Sequence, residues 1–245
     1  MPFLTSIRSL DNFPKDNRYP FNIPAFSEGI NLQFSSNVTF FVGENGSGKS
    51  TLLEAIAGNC GFNVSGGNRN HHYQHPKTES NLGSALRFAW FPRVTDGFFM
   101  RAESFFNFAS YVDEIAEEDA GIYGAYGGKS LHGQSHGEAF LALFENKFNK
   151  GIYLLDEPEA ALSPKRQLAF LVLMHELEKK GAAQFIIATH SPIILSYPGA
   201  VIYSFDQARI TQVAYEETEH YQITRDFLMD PNLYHKFLFP DSSEE

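Results

Sequence analysis

Eight consecutive residues carry the clearest chemistry in the chain. Gly43, Glu44, Asn45, Gly46, Ser47, Gly48, Lys49 and Ser50 fill every fixed position of the pattern G-x-x-x-x-G-K-[ST]. Glycines at three of these positions let the backbone curl until successive N–H groups, and the N-terminus of the helix that follows, face a single anion. Lys49 is then placed to neutralise terminal phosphate oxygens, and the Ser50 hydroxyl to ligate Mg²⁺, with Thr51 next in the same turn. A cation held this way needs an acidic partner. The run Ile152-Tyr153-Leu154-Leu155-Asp156-Glu157 supplies one, an apolar strand ending in two carboxylates. There Asp156 can hold the Mg²⁺ shell, and Glu157 can polarise the water that attacks the terminal phosphate. Alone, two acids at a strand end read equally well as a solvated pair; beside a phosphate loop they point to Mg²⁺ and ATP.

Two further motifs follow in order. Ala188-Thr189-His190-Ser191-Pro192 directly succeeds a second apolar strand, and Gln134-Ser135-His136-Gly137-Glu138 precedes the acidic strand. A lone histidine at a strand end reads as a packed core residue. In this setting His190 resembles the switch histidine of ABC-type ATPases, and residues 134–138 resemble their Leu-Ser-Gly-Gly-Gln signature. Ser135 and Gly137 are retained, while His136 replaces a glycine and Glu138 a glutamine. The run Asp156-Glu157-Pro158-Glu159-Ala160-Ala161-Leu162-Ser163-Pro164 is similar to that of stand-alone AAA-family ATPases of ABC type, relatives of the heads of chromosome-maintenance, recombination-repair and phage-defence ATPases, more than to transporter subunits.

The resemblance covers roughly residues 38–195 and implies a head-to-tail homodimer in the ATP state. Each ATP is then expected between the phosphate loop of one chain and Ser135 with Gly137 of the other. It implies Lys49, Glu157 and His190 as catalytic residues, and Ser50 and Asp156 as metal ligands. Glu103, in Arg101-Ala102-Glu103-Ser104, stands where these ATPases carry a glutamine that senses the metal and water; an ion pair with Arg101 is the competing reading. Tyr19 or Phe21 is the candidate for stacking on adenine, against plain packing.

These residues need a framework. Apolar runs at Phe3–Leu10, Ile30–Phe34 and Val38–Val42 read as strands, and a helix follows from Ser50 to a stop at Gly58 or Gly61. Farther on, a helix over Gly137–Asn149, a strand Ile152–Leu155, a helix from Pro164 closed by Gly181 and a strand Phe185–Ala188 alternate, as in a parallel sheet covered on both faces. Val201–Phe205 and Ile210–Ala214 suggest a terminal hairpin, with a helix near Glu219–Met229. The expected fold is therefore α/β, a P-loop NTPase of ABC-ATPase type with an N-terminal antiparallel β portion, in one domain over 1–245. Residues 62–133 read as an inserted arm: 62–83 as a glycine- and asparagine-rich surface excursion, Ala85–Phe106 as strand-like, and Phe105–Glu118 as a helix.

Composition bounds the remaining choices. With 245 residues and 43% hydrophobic content, the chain can bury a large core. Nineteen basic against 29 acidic residues give a net charge of −10, which argues against a protein that coats nucleic acid over its whole surface. A nucleic-acid partner thus has no support from net charge; an unidentified protein partner is compatible with it. Cys60 is the single cysteine, so no intramolecular disulfide forms. No apolar run approaches a membrane span and the start lacks a signal-peptide pattern, so a cytoplasmic protein without membrane insertion is expected. The many phenylalanines read as core in preference to base-stacking residues. His71, His72 and His75 read as solvated loop residues rather than metal ligands, and the five acids within 113–119 as a solvated helix face.

Overall fold

Val38–Val42 is buried at every position, which places it in the middle of a sheet covered on both faces. A computed structural model describes residues 1–15, 17–64, 66–67, 81–101, 105–118, 121, 123–124, 128–130, 132–133, 135–181 and 183–239. The strands are β1 (Leu4–Ser9), β2 (Asn31–Gln33), β3 (Val38–Val42), β4 (Leu86–Trp90), β5 (Gly97–Arg101), β6 (Gly151–Asp156), β7 (Ala183–Ala188), β8 (Val201–Ser204) and β9 (Thr211–Val213). The helices are α1 (Lys49–Cys60), α2 (Phe105–Glu118), α3 (His136–Lys147), α4 (Pro164–Lys179), α5 (Pro192–Leu195), α6 (Glu219–Met229) and α7 (Asn232–Leu238). The six-stranded sheet runs β5-β6-β7-β3-β8-β9, parallel except for the β8–β9 hairpin, and a three-stranded antiparallel sheet runs β2-β1-β4.

Side chains alternate across the large sheet with the two-residue strand period, so its strands feed two cores. Phe40, Tyr153, Leu155, Phe185 and Ile187 face Phe108, Phe140, Phe144 and Phe170 from α2, α3 and α4. Phe41, Ile152, Leu154 and Ile186 face Leu52 and Ile56 of α1 and Leu4, Ile7 and Leu32 of the antiparallel sheet. The phenylalanines are thus core, as their clustering suggests: Phe144 and Phe170 meet edge to face at 4.9 Å, a geometry that adds to area burial. α1 is buried at eight positions around its circumference, so it fills the space between sheet and β-layer instead of lying on the surface.

The boundaries read from sequence lie within two residues of those observed, and Val38–Val42, Phe105–Glu118 and Glu219–Met229 coincide. Helix α7 has no counterpart in the sequence reading; Asn232–Leu238 folds back so that Phe227 of α6 meets Tyr234 at 5.9 Å. Within 62–133, β4 joins the antiparallel sheet and β5 pairs in parallel with β6, so both belong to the body. Gly97 has φ +144°, and a Cβ there would sit 1.9 Å from the Ile152 carbonyl oxygen, so only glycine lets β5 approach β6 this closely. Asp113 is no merely solvated acid, because its carboxylate accepts hydrogen bonds from the Tyr123 and Ser130 hydroxyls at 3.1 and 2.7 Å. His71, His72, His75 and Glu103 lie outside the described residues.

One buried side chain joins the two sheets. The Gln184 amide oxygen on β7 accepts the N–H groups of Phe3 and Leu4 at 2.9 and 2.8 Å, while its NH₂ donates to the Leu4 carbonyl at 3.0 Å. Gln184 is fully buried. Gln184→Leu therefore leaves two donors and one acceptor unpaired and is expected to destabilise the chain by about 3 kcal/mol or more, read from denaturant midpoints. An unchanged midpoint contradicts that role.

Candidate functional site

The phosphate-loop residues span the turn from β3 into α1. Gly43, Gly46 and Gly48 take φ values of +139°, +83° and +107°, conformations L side chains rarely adopt. At Gly48 a Cβ would also lie 2.8 Å from Phe26 Cζ. The loop is held from the far side by Asp206, after β8, whose Oδ1 accepts the Glu44 N–H at 2.8 Å while Oδ2 accepts the Ser204 hydroxyl at 2.9 Å. Lys49 Nζ turns inward and donates to the carbonyls of Gly43 and Glu44 at 2.5 and 2.9 Å. Burial lowers its pKa from the ordinary lysine value, with Glu157, Asp156, Asp206 and Glu44 pulling the other way.

Strand register brings the acids to the lysine. β3 pairs with β7 and β7 with β6, with Phe41 opposite Ala188 and Ala188 opposite Asp156. Ser50 Oγ donates to Asp156 Oδ1 at 3.0 Å. On the other side Arg101, opposite Asp156 in the β5–β6 register, lies with Nε 3.6 Å from Asp156 Oδ2 and Nη1 bonded to Glu54. Burial pushes the Asp156 carboxyl up to about 6, against the opposing pull of Arg101 and Ser50.

Glu157 has a left-handed backbone, φ 53° and ψ 54°, held by its N–H donating to the Ala188 carbonyl at 2.9 Å. Such a conformation in a non-glycine residue costs free energy, and an observed outlier of this kind is grounds for a functional hypothesis. It leaves the carboxylate 3.7 Å from His190 Nε2 and on the wall of a cavity of about 190 Å³. Tyr19, Ile23, Asn45, Gly46, Gly48, Lys49, Ser50 and Thr51 line the rest.

The loop that carries His190 is fastened by a residue to which the sequence reading gave no separate role. Glu159 accepts from the Thr189 hydroxyl at 2.8 Å and from the His190 N–H at 2.5 Å. Burial raises its pKa above the ordinary range, and those hydrogen bonds oppose the rise. His190 Nδ1 lies 2.7 Å from His220 Nε2 on α6. Burial lowers the pKa of both histidines, and Lys49 acts in the same direction on each. Neither Glu159 nor His220 fits a short pattern; the one signal in sequence was the presence of Glu159 in the acidic run.

The other expected residues fall into three groups. Tyr19 lines the cavity with its hydroxyl 3.1 Å from Thr51 Oγ1, whereas Phe21 packs edge to face on Phe13 at 5.4 Å. Ser135 and Gly137, at the start of α3, are not among the cavity's lining residues. The Ser135 N–H donates to Glu138 at 3.1 Å, and Arg166 donates to the Ser135 hydroxyl and to the Glu138 carboxylate, each at 2.9 Å. Glu138, which departs from the signature glutamine, thus serves helix capping and an ion pair. A Cβ at Gly137 would meet Arg166 at 2.6 Å and the Ala161 carbonyl oxygen at 3.0 Å. The expected ion pair of Glu103 with Arg101 falls outside the described residues; Arg101 pairs with Glu54 and Asp156.

The donor set fits a polyphosphate with a divalent cation. Among the described residues Ser47 Oγ and His190 Nε2 are buried without hydrogen-bond partners, Lys49 is tied to loop carbonyls, and Ser50 and Asp156 converge as hydroxyl and carboxylate. Among the described residues no helix is long and apolar enough to cross a membrane.

Comparison with known proteins agrees with this geometry. Residues 21–91 match a family described as "AAA domain", and residues 138–196 match one described as "AAA domain, putative AbiEii toxin, Type IV TA system". The first segment contains the phosphate loop, the second the acidic strand and His190. A comparison with curated proteins finds no match. Among solved structures the chain is similar to cbiO1 from Clostridium perfringens, part of the ABC transporter complex cbiONQ, with TM-score 0.51 and 17% identity over 96% of this chain and 99% of that one. It is also similar to a structure described as "An inward-facing conformation of a putative metal-chelate type ABC transporter", with TM-score 0.52 and 15% identity over 91% of this chain and 88% of that one. At such identities these likenesses speak for the fold. Two AAA-type segments carried on the fold of ABC-type ATPases make the chain a P-loop ATPase in motif and fold.

Proposed function

We propose that the chain binds ATP with Mg²⁺ and hydrolyses it to ADP and phosphate in a head-to-tail homodimer, using the cycle to act on an unidentified protein partner. One observation carries this reading: the Glu157 carboxylate lies on the same cavity as Lys49 and Ser50, 3.7 Å from His190. The loop N–H groups and Lys49 bind the phosphates, and Tyr19, which lines the cavity, is the candidate to stack on the base. Ser50 and Asp156 hold Mg²⁺, which when bound neutralises charge on the phosphate oxygens. Glu157 takes the proton of the attacking water, its side chain held on the cavity wall by the left-handed backbone. His190 donates from its ring to the terminal phosphate, and Glu159 holds the loop that presents it.

A single chain leaves the far side of the cavity open to solvent at Glu157, which is 45% exposed at its side chain. Ser135, exposed at the start of α3 and outside that cavity, is the residue offered to the nucleotide of a second copy. The acidic surface, at a net charge of −10, favours a protein partner over nucleic acid.

Glu157→Gln removes the base but keeps the shape. It is expected to lower kcat by about 10²- to 10⁴-fold, to leave ATP affinity intact and to accumulate an ATP-bound dimer in light scattering. Full turnover in this variant, or turnover per chain that is independent of dilution, overturns the assignment or the shared site respectively. Glu159→Ala unties Thr189 and His190 and is expected to lower kcat by about tenfold or more with ATP affinity retained; a loss confined to affinity contradicts the positioning role. The pH dependence follows from Asp156. A carboxyl with pKa raised to about 6 must lose its proton to hold the cation, so protons compete below that pH. Mg²⁺ affinity in the presence of ATP is expected to fall toward tenfold per pH unit below about 6 and to be flat above it, measured by calorimetric titration.

A further inference from the structure

His190 has its Nε2 buried without a hydrogen-bond partner among the described residues and 3.7 Å from Glu157 Oε1, while its Nδ1 lies 2.7 Å from His220 Nε2. A neutral imidazole carries hydrogen on only one ring nitrogen, so the contact between the rings holds a single proton and fixes both tautomers. With that proton on His190 Nδ1, the Nε2 lone pair faces the Glu157 carboxylate and any phosphate in the cavity, which is repulsive. With it on His220, the His190 Nε2–H faces both negative groups.

We propose that His220 is a positioning residue whose Nε2–H donates to His190 Nδ1, locking His190 in the Nε2–H tautomer and in the ring orientation that donates to the terminal phosphate of ATP. The assignment rests on the ATP hydrolysis proposed above. Burial and the Lys49 charge disfavour the cationic ring at both positions, so the tautomer matters more than full protonation. The donor is also fixed in space. His220 stands in the first turn of α6, where the buried Thr218 caps the helix by accepting the Tyr221 N–H at 3.3 Å. Just before that cap, the Tyr215 hydroxyl donates to the Pro192 carbonyl at 2.9 Å, tying the segment leading into α6 to the start of α5, two residues after His190. The two imidazoles are therefore held from elements tied to one another.

The test combines spectroscopy with kinetics on the full chain. Long-range ¹⁵N–¹H spectra of the nucleotide-free protein are expected to show His190 protonated at Nε2 and bare at Nδ1, and His220→Leu is expected to abolish that preference. His220→Leu is expected to lower kcat for Mg-ATP by about 10- to 100-fold while affinity for a fluorescent ATP analogue stays unchanged. His220→Gln, which keeps an N–H donor on a side chain suited to a helix, is expected to restore most of the rate. A wild-type His190 protonated at Nδ1, or a leucine variant with wild-type kcat, overturns the proposal. A wild-type chain that turns over no ATP overturns the proposed function instead, and the spectra of the nucleotide-free chain still decide the histidine pair.

Discussion

The parallel register of β3, β7 and β6 is the constraint on which the site depends. Phe41 stands opposite Ala188 and Ala188 opposite Asp156, so the carboxyl ends of three strands distant in sequence open at one level. That level is where Ser50 meets Asp156 and where Glu157 borrows the Ala188 carbonyl to hold its left-handed turn. A slip of one residue would turn every side chain to the other face, and both faces are packed, so the two phenylalanine-rich cores fix the register. The chemistry is thereby supported by burial on both sides of the sheet.

Charge is balanced within this narrow space. Lys49 and Arg101 stand among Asp156, Glu157 and Glu54, with Asp206 bracing the loop and Glu159 bracing the histidine strand. Each buried acid has a partner: Asp156 has Ser50 and Arg101, and Glu159 has Thr189 and a backbone N–H. That arrangement agrees with the rule that buried charges must be paired or hydrogen-bonded. Lys49 supplies the positive charge on the cavity wall, a local cation within a chain whose overall charge is −10.

One departure from the signature that residues 134–138 resemble, Glu138, acquires a physical reason once the helix is in place. Glu138 caps α3 and pairs with Arg166, which also holds Ser135, so a carboxylate at this position serves the chain's own structure. Gly137 is likewise required by the close approach of Arg166 and Ala161. The same residues that the resemblance assigns to a neighbouring nucleotide are therefore already engaged in packing α3 against α4.

The phosphate loop, the acidic strand, the histidine strand and most of the α/β order were legible because each is local: a strand period of two, helix stops at glycine, and motif spacing within a few residues. The loop's positive φ values follow directly from its glycines. What no local pattern could decide was which distant side chains support the site. Gln184 reaches across to β1 from 180 residues away, His220 reaches His190 from a C-terminal helix, and Asp206 reaches the loop from beyond β8. The choice between Tyr19 and Phe21 also waited on packing, since both are aromatic and only their neighbours differ. By itself the sequence determined the nucleotide chemistry, because the backbone conformation and the reactive groups lie in the same short runs. The tertiary structure alone decided what orients those groups, because hydrogen bonds between residues far apart in the chain depend on sheet register and helix docking, which no short run encodes.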